Sequence, residues 1–147
     1  MTYDIQSEVP QISLVRKVLV AGTLLLAGRA MTLAFIGRAG DGGAGDPPAA
    51  WLMPLWGDAV VGLAALVIAF LLWSRPTRVA WLTFVVWNAI GIWDALSAWL
   101  IHVVEPWPDF FMIELFGSSM FFAASAMHAG LWWLAARPNI RAEFGVV

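Results

Sequence analysis

Trp51-Leu-Met-Pro-Leu-Trp-Gly-Asp-Ala-Val-Val-Gly-Leu-Ala-Ala-Leu-Val-Ile-Ala-Phe-Leu-Leu-Trp73 is a run of 23 residues with a single charged side chain, Asp58. A helix of that length rises about 33 Å, enough for the roughly 30 Å hydrocarbon core of a bilayer. The run shows no apolar–polar alternation, so it reads as a helix meeting lipid rather than a barrel strand. Outward from it lie three further stretches of the same kind, Val18–Ile36, Val79–Val104 and Phe110–Ala136. The expected fold is all-α: a four-helix transmembrane bundle forming one integral membrane domain over residues 1–147.

Composition points the same way. The chain is 61% hydrophobic and 12% charged, against about 45–50% and 25% for soluble domains. It contains no cysteine, which excludes disulfides, thiolate metal sites and cysteine nucleophiles. A net charge of −2 without a basic patch gives no sign of nucleic-acid binding. Arg16 and Lys17 ahead of an apolar run raise the possibility of a signal peptide. Acidic Asp4 and Glu8 in the supposed basic region oppose it, so the stretch reads as a first span.

The breaks are legible too. Gly37–Ala50 holds five Gly, two Asp and two Pro, a loop that does not remain helical. Ser74-Arg-Pro-Thr-Arg78 and Glu105-Pro-Trp-Pro-Asp109 are turns whose prolines lack the amide a continuing helix needs, and Arg137-Pro138 stops the last span. Arg16, Lys17, Arg75, Arg78, Arg137 and Arg141 fall on one side, and only Arg38 on the other. That asymmetry predicts both termini in the cytoplasm. Trp51, Trp56, Trp99 and Trp107 at one boundary, and Trp73, Trp81, Trp132 and Trp133 at the other, read as aromatic belts. Arginine-rich usage suggests a GC-rich bacterial genome, hence a bacterial inner membrane as the setting.

Ionisable groups inside the spans are the informative residues, since each costs about 2.5–3.5 kcal/mol at mid-membrane on insertion scales. Counting along the helices puts Arg29 and Asp58 about 10 Å below the outer boundary, Asp94 about 15 Å and Glu114 about 6 Å. One guanidinium and three carboxylates thus converge on the outer half. A guanidinium bridges two carboxylates well, and the remaining negative charge must be met by a proton, water or a cation. Asn88, Gly91, Ala95, Ala98 and His102 share one face of the third span, bordered by Asp94, and Glu114, Ser118, Ser125 and His128 share a face of the fourth. Asp58 and Gly62 are one turn apart. These polar and small faces suggest a shared interior. The alternative is an ion-paired core that only secures helix register.

His102 and His128 stand too far apart along their helices to hold one haem. No ligand spacing supports a metal site, no cofactor is predicted, and no P-loop, dinucleotide fingerprint, G-x-S-x-G or H-E-x-x-H is present. No internal repeat relates the two helical hairpins, which weakens a transporter reading.

Pro54-Leu-Trp-Gly-Asp58-Ala-Val-Val-Gly62, then Trp87-Asn88-Ala-Ile-Gly91-Ile-Trp-Asp94, then His128, resembles a loosely defined group of small bacterial four-span membrane proteins with no assigned function. The resemblance covers roughly Pro54 to Leu134, implies the same topology and draws attention to Asp58, Asn88, Asp94 and His128. It implies no substrate.

The first functional expectation is a pocket for a small lipophilic molecule in the outer half of the bilayer. Asp58 and Asp94 would be its polar or acid–base (catalytic) groups. Arg29, Asn88, Glu114, Ser118 and His128 would complete its ligand-binding set. The rivals are an accessory subunit of a membrane complex, homo- or hetero-oligomeric, and proton or cation translocation. Whether the chain is an enzyme stays open at this stage.

Overall fold

The computed structural model describes residues 12–107 and 109–146. Asp4, Glu8 and Pro108 lie outside the described residues. Among the described residues the chain is all helical, with no strand.

Three helices are long and apolar enough to cross a membrane: α1, Leu14–Ile36; α2, Ala49–Ser74; and α3, Arg78–Val104. The first begins a turn earlier than its apolar run, because Ser13 caps it by accepting the Arg16 amide on Oγ at 3.1 Å. Thr77 caps α3 in the same way through the Ala80 amide. Only Arg75, Pro76 and Thr77 separate the two helices, so α2 and α3 form a tight hairpin.

The expected fourth span is not one helix. It divides into α4, Phe111–Phe116, and α5, Ser119–Ala135, with a break at Gly117, whose φ of 57° and ψ of −152° suit only glycine. Without a Cβ at Gly117, and with Ser119 Oγ donating to the Phe116 carbonyl at 2.6 Å, the backbone turns where an alanine would have continued the helix. A last short helix, α6, spans Pro138–Glu143.

α1 packs on α2 and α5, and α3 packs on the same two helices. Two apolar clusters result. The one nearer the chain termini is built on Leu19, Leu72, Phe84 and Ala135, and it is closed by Ile140 of α6 and by Phe144 just after that helix. The other gathers Trp51, Leu55, Trp107, Phe110 and Phe121. A polar layer lies between them: Asp58 falls between Leu55 and Val61 on α2, Asp94 between Trp87 and Ala98 on α3, and His128 between Phe121 and Leu131 on α5.

Arg16 is buried. Its Nε and Nη2 donate to the Leu72 and Trp73 carbonyls at 2.6 and 2.5 Å, satisfying the free C-terminal carbonyls of α2 and complementing its dipole. Tryptophans do similar work. Trp81 Nε1 donates to the Ala135 carbonyl at 2.9 Å, closing the end of α5, and Trp51 Nε1 donates to the Glu105 carbonyl at 2.8 Å, closing the end of α3. Trp51 and Trp107, expected in a belt, are core residues, whereas Trp56, Trp73, Trp132 and Trp133 are exposed. The difference follows from their indole N–H groups finding carbonyls inside the fold.

These contacts gather the N-termini of α1 and α3 and the C-termini of α2 and α5 at one end. Met53, Val60, Leu63, Val67, Phe70 and Trp73 leave α2 with a continuous exposed apolar face. Monomeric soluble proteins rarely carry such a face, and lipid would cover it.

Candidate functional site

Arg29 lies within a 3-10 stretch, Ala27–Thr32, inserted in the middle of α1. In a 3-10 helix residues three apart eclipse one another, whereas in an α-helix they drift by about 60° per step. Leu26, Arg29 and Thr32 therefore stack on one inward row, and Leu26 and Thr32 are buried. A regular helix would have turned Thr32 about 120° away from Leu26. Instead its hydroxyl lies 3.1 Å from the Leu55 carbonyl of α2 and 2.9 Å from that of Arg29.

Four helices meet at the guanidinium. Nε donates to Asp58 Oδ1 at 2.5 Å, and Nη2 donates to Asp94 Oδ2. Nη1 lies 3.3 Å from the Gly91 carbonyl and 3.0 Å from His128 Nε2. A guanidinium only donates, so Nε2 accepts and His128 carries its proton on Nδ1. That nitrogen then donates to Asn88 Oδ1 at 3.1 Å, and Asn88 Nδ2 donates to the Phe84 carbonyl at 2.8 Å. The donors and acceptors form one consistent chain from α3 through His128 to Arg29. Trp87 holds the imidazole from the side, its ring centroid 4.8 Å away, and is itself anchored by Nε1 donating to the Val61 carbonyl at 3.0 Å.

Glycines make this assembly possible. A Cβ on Gly57 would run into the Asp94 carboxylate, and one on Gly91 into the His128 ring. A Cβ on Gly62 would lie 2.9 Å from both Ala30 Cα and the Arg29 carbonyl carbon, so α1 crosses α2 backbone on side-chain-free backbone there. The Gly57-Asp58…Gly62, Asn88…Gly91…Asp94 and His128 spacing thus has a geometric explanation. Each glycine receives a member of the cluster or its supporting backbone.

Of the seven residues singled out by sequence, Arg29, Asp58, Asp94, Asn88 and His128 are joined. Glu114 and Ser118 are not. Glu114 is exposed on α4 and makes no ion pair among the described residues. Ser118 sits at the break before α5, where its side chain makes no capping bond. The expected third carboxylate therefore lies outside, and the guanidinium faces two. The sequence reading did not foresee Gly57 or Thr32 as parts of the site. Gly57 directly before Asp58 was the available signal.

A cavity of about 300 Å³ opens beside this cluster. Arg29, Thr32 and Asp58 form its polar end, and Leu26, Ala98, Phe121 and Ala124 are among its apolar walls. Asp94 does not line it. α1 and α5 touch at Gly22, where a Cβ would come 2.7 Å from Leu131 Cδ2, and both helices then line the cavity further toward α4. Exposed Leu25 and Met31 border the mouth. Asp58 is the most accessible of the three charged groups, with 24% of its side chain exposed against 11% for Arg29 and 13% for Asp94.

No family model, curated protein or solved structure matches this chain. The chemistry of the site is therefore read from its own atoms. Arg29, His128 and Asn88 are each held by two or more partners, whereas Asp58 and Asp94 each receive one hydrogen bond, from the guanidinium. Among the described residues, no group of three or more His, Asp or Glu side chains is placed to hold a metal ion. Asp58 lines the polar end of the pocket, and its Oδ2 makes no hydrogen bond with a described residue.

Proposed function

We propose that this chain is a four-span membrane protein, with both termini cytoplasmic, that holds a small lipophilic molecule in a pocket between α1 and α5. The single observation that carries the pocket reading is the apolar cavity ending on Arg29 and Asp58. Ligand sites have this make-up: mostly apolar walls with a few fixed polar groups. A cluster built only to lock helix register would leave no volume beside its acids.

The three long helices supply three crossings. α5 supports a fourth, since its 17 residues contain no charged side chain other than His128 if protonated, and they rise about 26 Å. Arg16, Lys17, Arg75, Arg78, Arg137 and Arg141 at one end favour that end as cytoplasmic, and a bacterial inner membrane is the setting we favour. Because the chain has no cysteine, single cysteines report topology directly. A cysteine at Gly43 should react with an impermeant maleimide on intact cells, and one at Thr77 only after permeabilisation. Reaction at Thr77 from outside would reverse the orientation.

The pocket is tested by mass spectrometry of the chain purified in mild detergent. The wild type should carry a defined small molecule. Ala124→Phe, which fills the cavity, and Asp58→Asn, which keeps the side chain's shape, should both fold and lose it. An accessory-subunit role predicts the opposite pattern: lowered thermal stability for Asp58→Asn and no bound molecule in any variant. Acid–base chemistry, if the occupant is a substrate, would be carried by Asp58, the carboxyl-bearing residue of the cavity lining.

A further inference from the structure

The polar end of the cavity has a definite hydrogen-bonding sense. Four of the guanidinium's donor directions are taken up by Asp58, Asp94, the Gly91 carbonyl and His128 Nε2. The neighbouring Thr32 hydroxyl is directed at backbone carbonyls of Leu55 and Arg29. What remains unengaged among the described residues is one Nη2–H and two acceptors, Asp58 Oδ2 and, beyond it, the second oxygen of Asp94 against Gly57.

Charge gives the same sense. One guanidinium stands between two carboxylates, and Glu114, which would have made the imbalance larger, lies elsewhere. With both carboxyls ionised, the cluster is one positive charge short of neutrality. His128 does not supply it, because its Nε2 accepts from Arg29. In surroundings of low dielectric an uncompensated charge is costly. A headgroup that both donates hydrogen bonds and carries positive charge meets both demands at Asp58. A carboxylate or phosphate head would add a third anion and meet only the one N–H left on Nη2.

We infer that the occupant of this cavity is a lipophilic amine, bound as its ammonium with N–H donated to Asp58 Oδ2 and its hydrocarbon part against Phe121, Ala98 and Ala124. The inference rests on the pocket reading above and deepens it. At roughly 30 Å³ per non-hydrogen atom, about ten such atoms fit in the 300 Å³ cavity. The ligand is thus a short lipophile, or the head end of a longer chain that leaves between Leu25 and Met31 into lipid.

The test uses the full chain in nanodiscs of uncharged phosphatidylcholine and three probes of equal length: decylamine, decanol and decanoate. Binding is read as displacement measured by native mass spectrometry and by thermal shift. The amine should bind about tenfold or more tightly than the alcohol, as expected for a charge-assisted hydrogen bond, and decanoate should not bind. Asp58→Asn should bring the amine to within about threefold of the alcohol while leaving alcohol binding in place. Ala98→Leu, which keeps Asp58 and narrows the cavity, should weaken amine and alcohol alike, and it serves if Asp58→Asn does not fold. Equal binding of alcohol and amine, or preference for decanoate, would overturn the headgroup assignment while leaving the pocket intact. Failure of all three probes to bind in a way that Ala98→Leu alters would overturn both.

Discussion

Replacing Arg29 by Leu should cost the folded chain about 3–5 kcal/mol, the largest effect expected of any single substitution here. The figure is that for removing one partner of a buried ion pair, and the guanidinium serves two acids at once, with the Gly91 carbonyl and His128 as well. Its loss strands Asp58 and Asp94 in a layer between two apolar clusters. The measurement is equilibrium unfolding in mixed SDS and non-ionic micelles. A second variant separates charge from packing. Combining Arg29→Met with Asp58→Leu and Asp94→Leu removes the charges together, and such replacements are often neutral or stabilising. The triple variant should recover most of the stability and retain no ligand. A single Arg29→Leu variant as stable as the wild type would show that the cluster does not hold the helices together.

Gly62→Ala should be nearly as damaging, although it adds one carbon atom. Overpacking of a tight contact costs about 1–3 kcal/mol where side chains give way. Here the neighbours are main-chain atoms of Arg29 and Ala30, which yield only if α1 moves as a whole. Displacing α1 draws Arg29 from Asp58. The variant should therefore lose stability and ligand together, read by the same unfolding assay and by mass spectrometry. Gly130→Ala is the control, since nothing lies within 4 Å of a Cβ there. Equal behaviour of the two alanines would refute the close crossing of α1 and α2.

The long helices were legible in the sequence because hydrophobic length is a property each stretch carries by itself. α2 and α3 begin and end within two residues of the expected spans Trp51–Trp73 and Val79–Val104. The fourth stretch was misread as continuous. Phe116-Gly-Ser-Ser-Met120 has the composition of a break, but its flanks are as apolar as a span interior. That single error moved two site residues. Counted from Phe110 as one helix, His128 falls about 27 Å deep, well below Asp94. Counted from Ser119, where α5 starts, it is nine residues in, or about 14 Å, level with Asp94 at about 15 Å. The same break takes Glu114 out of the bundle layer.

Depth counting brought Arg29, Asp58 and Asp94 to one level, but depth says nothing of direction around a helix. Arg29 faces inward because of the 3-10 stretch, and no residue from Ala27 to Thr32 announces one. The tryptophans misled for a related reason. A belt and a helix-end staple occupy the same depth, and only the position of a neighbouring carbonyl distinguishes Trp51 from Trp56.

The break at Gly117 also gives the molecule two hydrophobic lengths. α3 has 27 residues and extends about 40 Å, whereas α5 has 17 and extends about 26 Å. If α5 is the proposed fourth span, a bilayer offers both of them one hydrocarbon slab of roughly 30 Å. Mismatch of that size is relieved by tilt on the long side and by thinning of the lipid on the short side. The cavity mouth, between α1 and the first turns of α5, lies on the short side. Headgroups drawn down beside α5 would bring the water-facing edge of the membrane close to the mouth, so an amphiphile could reach Asp58 with its head while its tail never left the acyl layer.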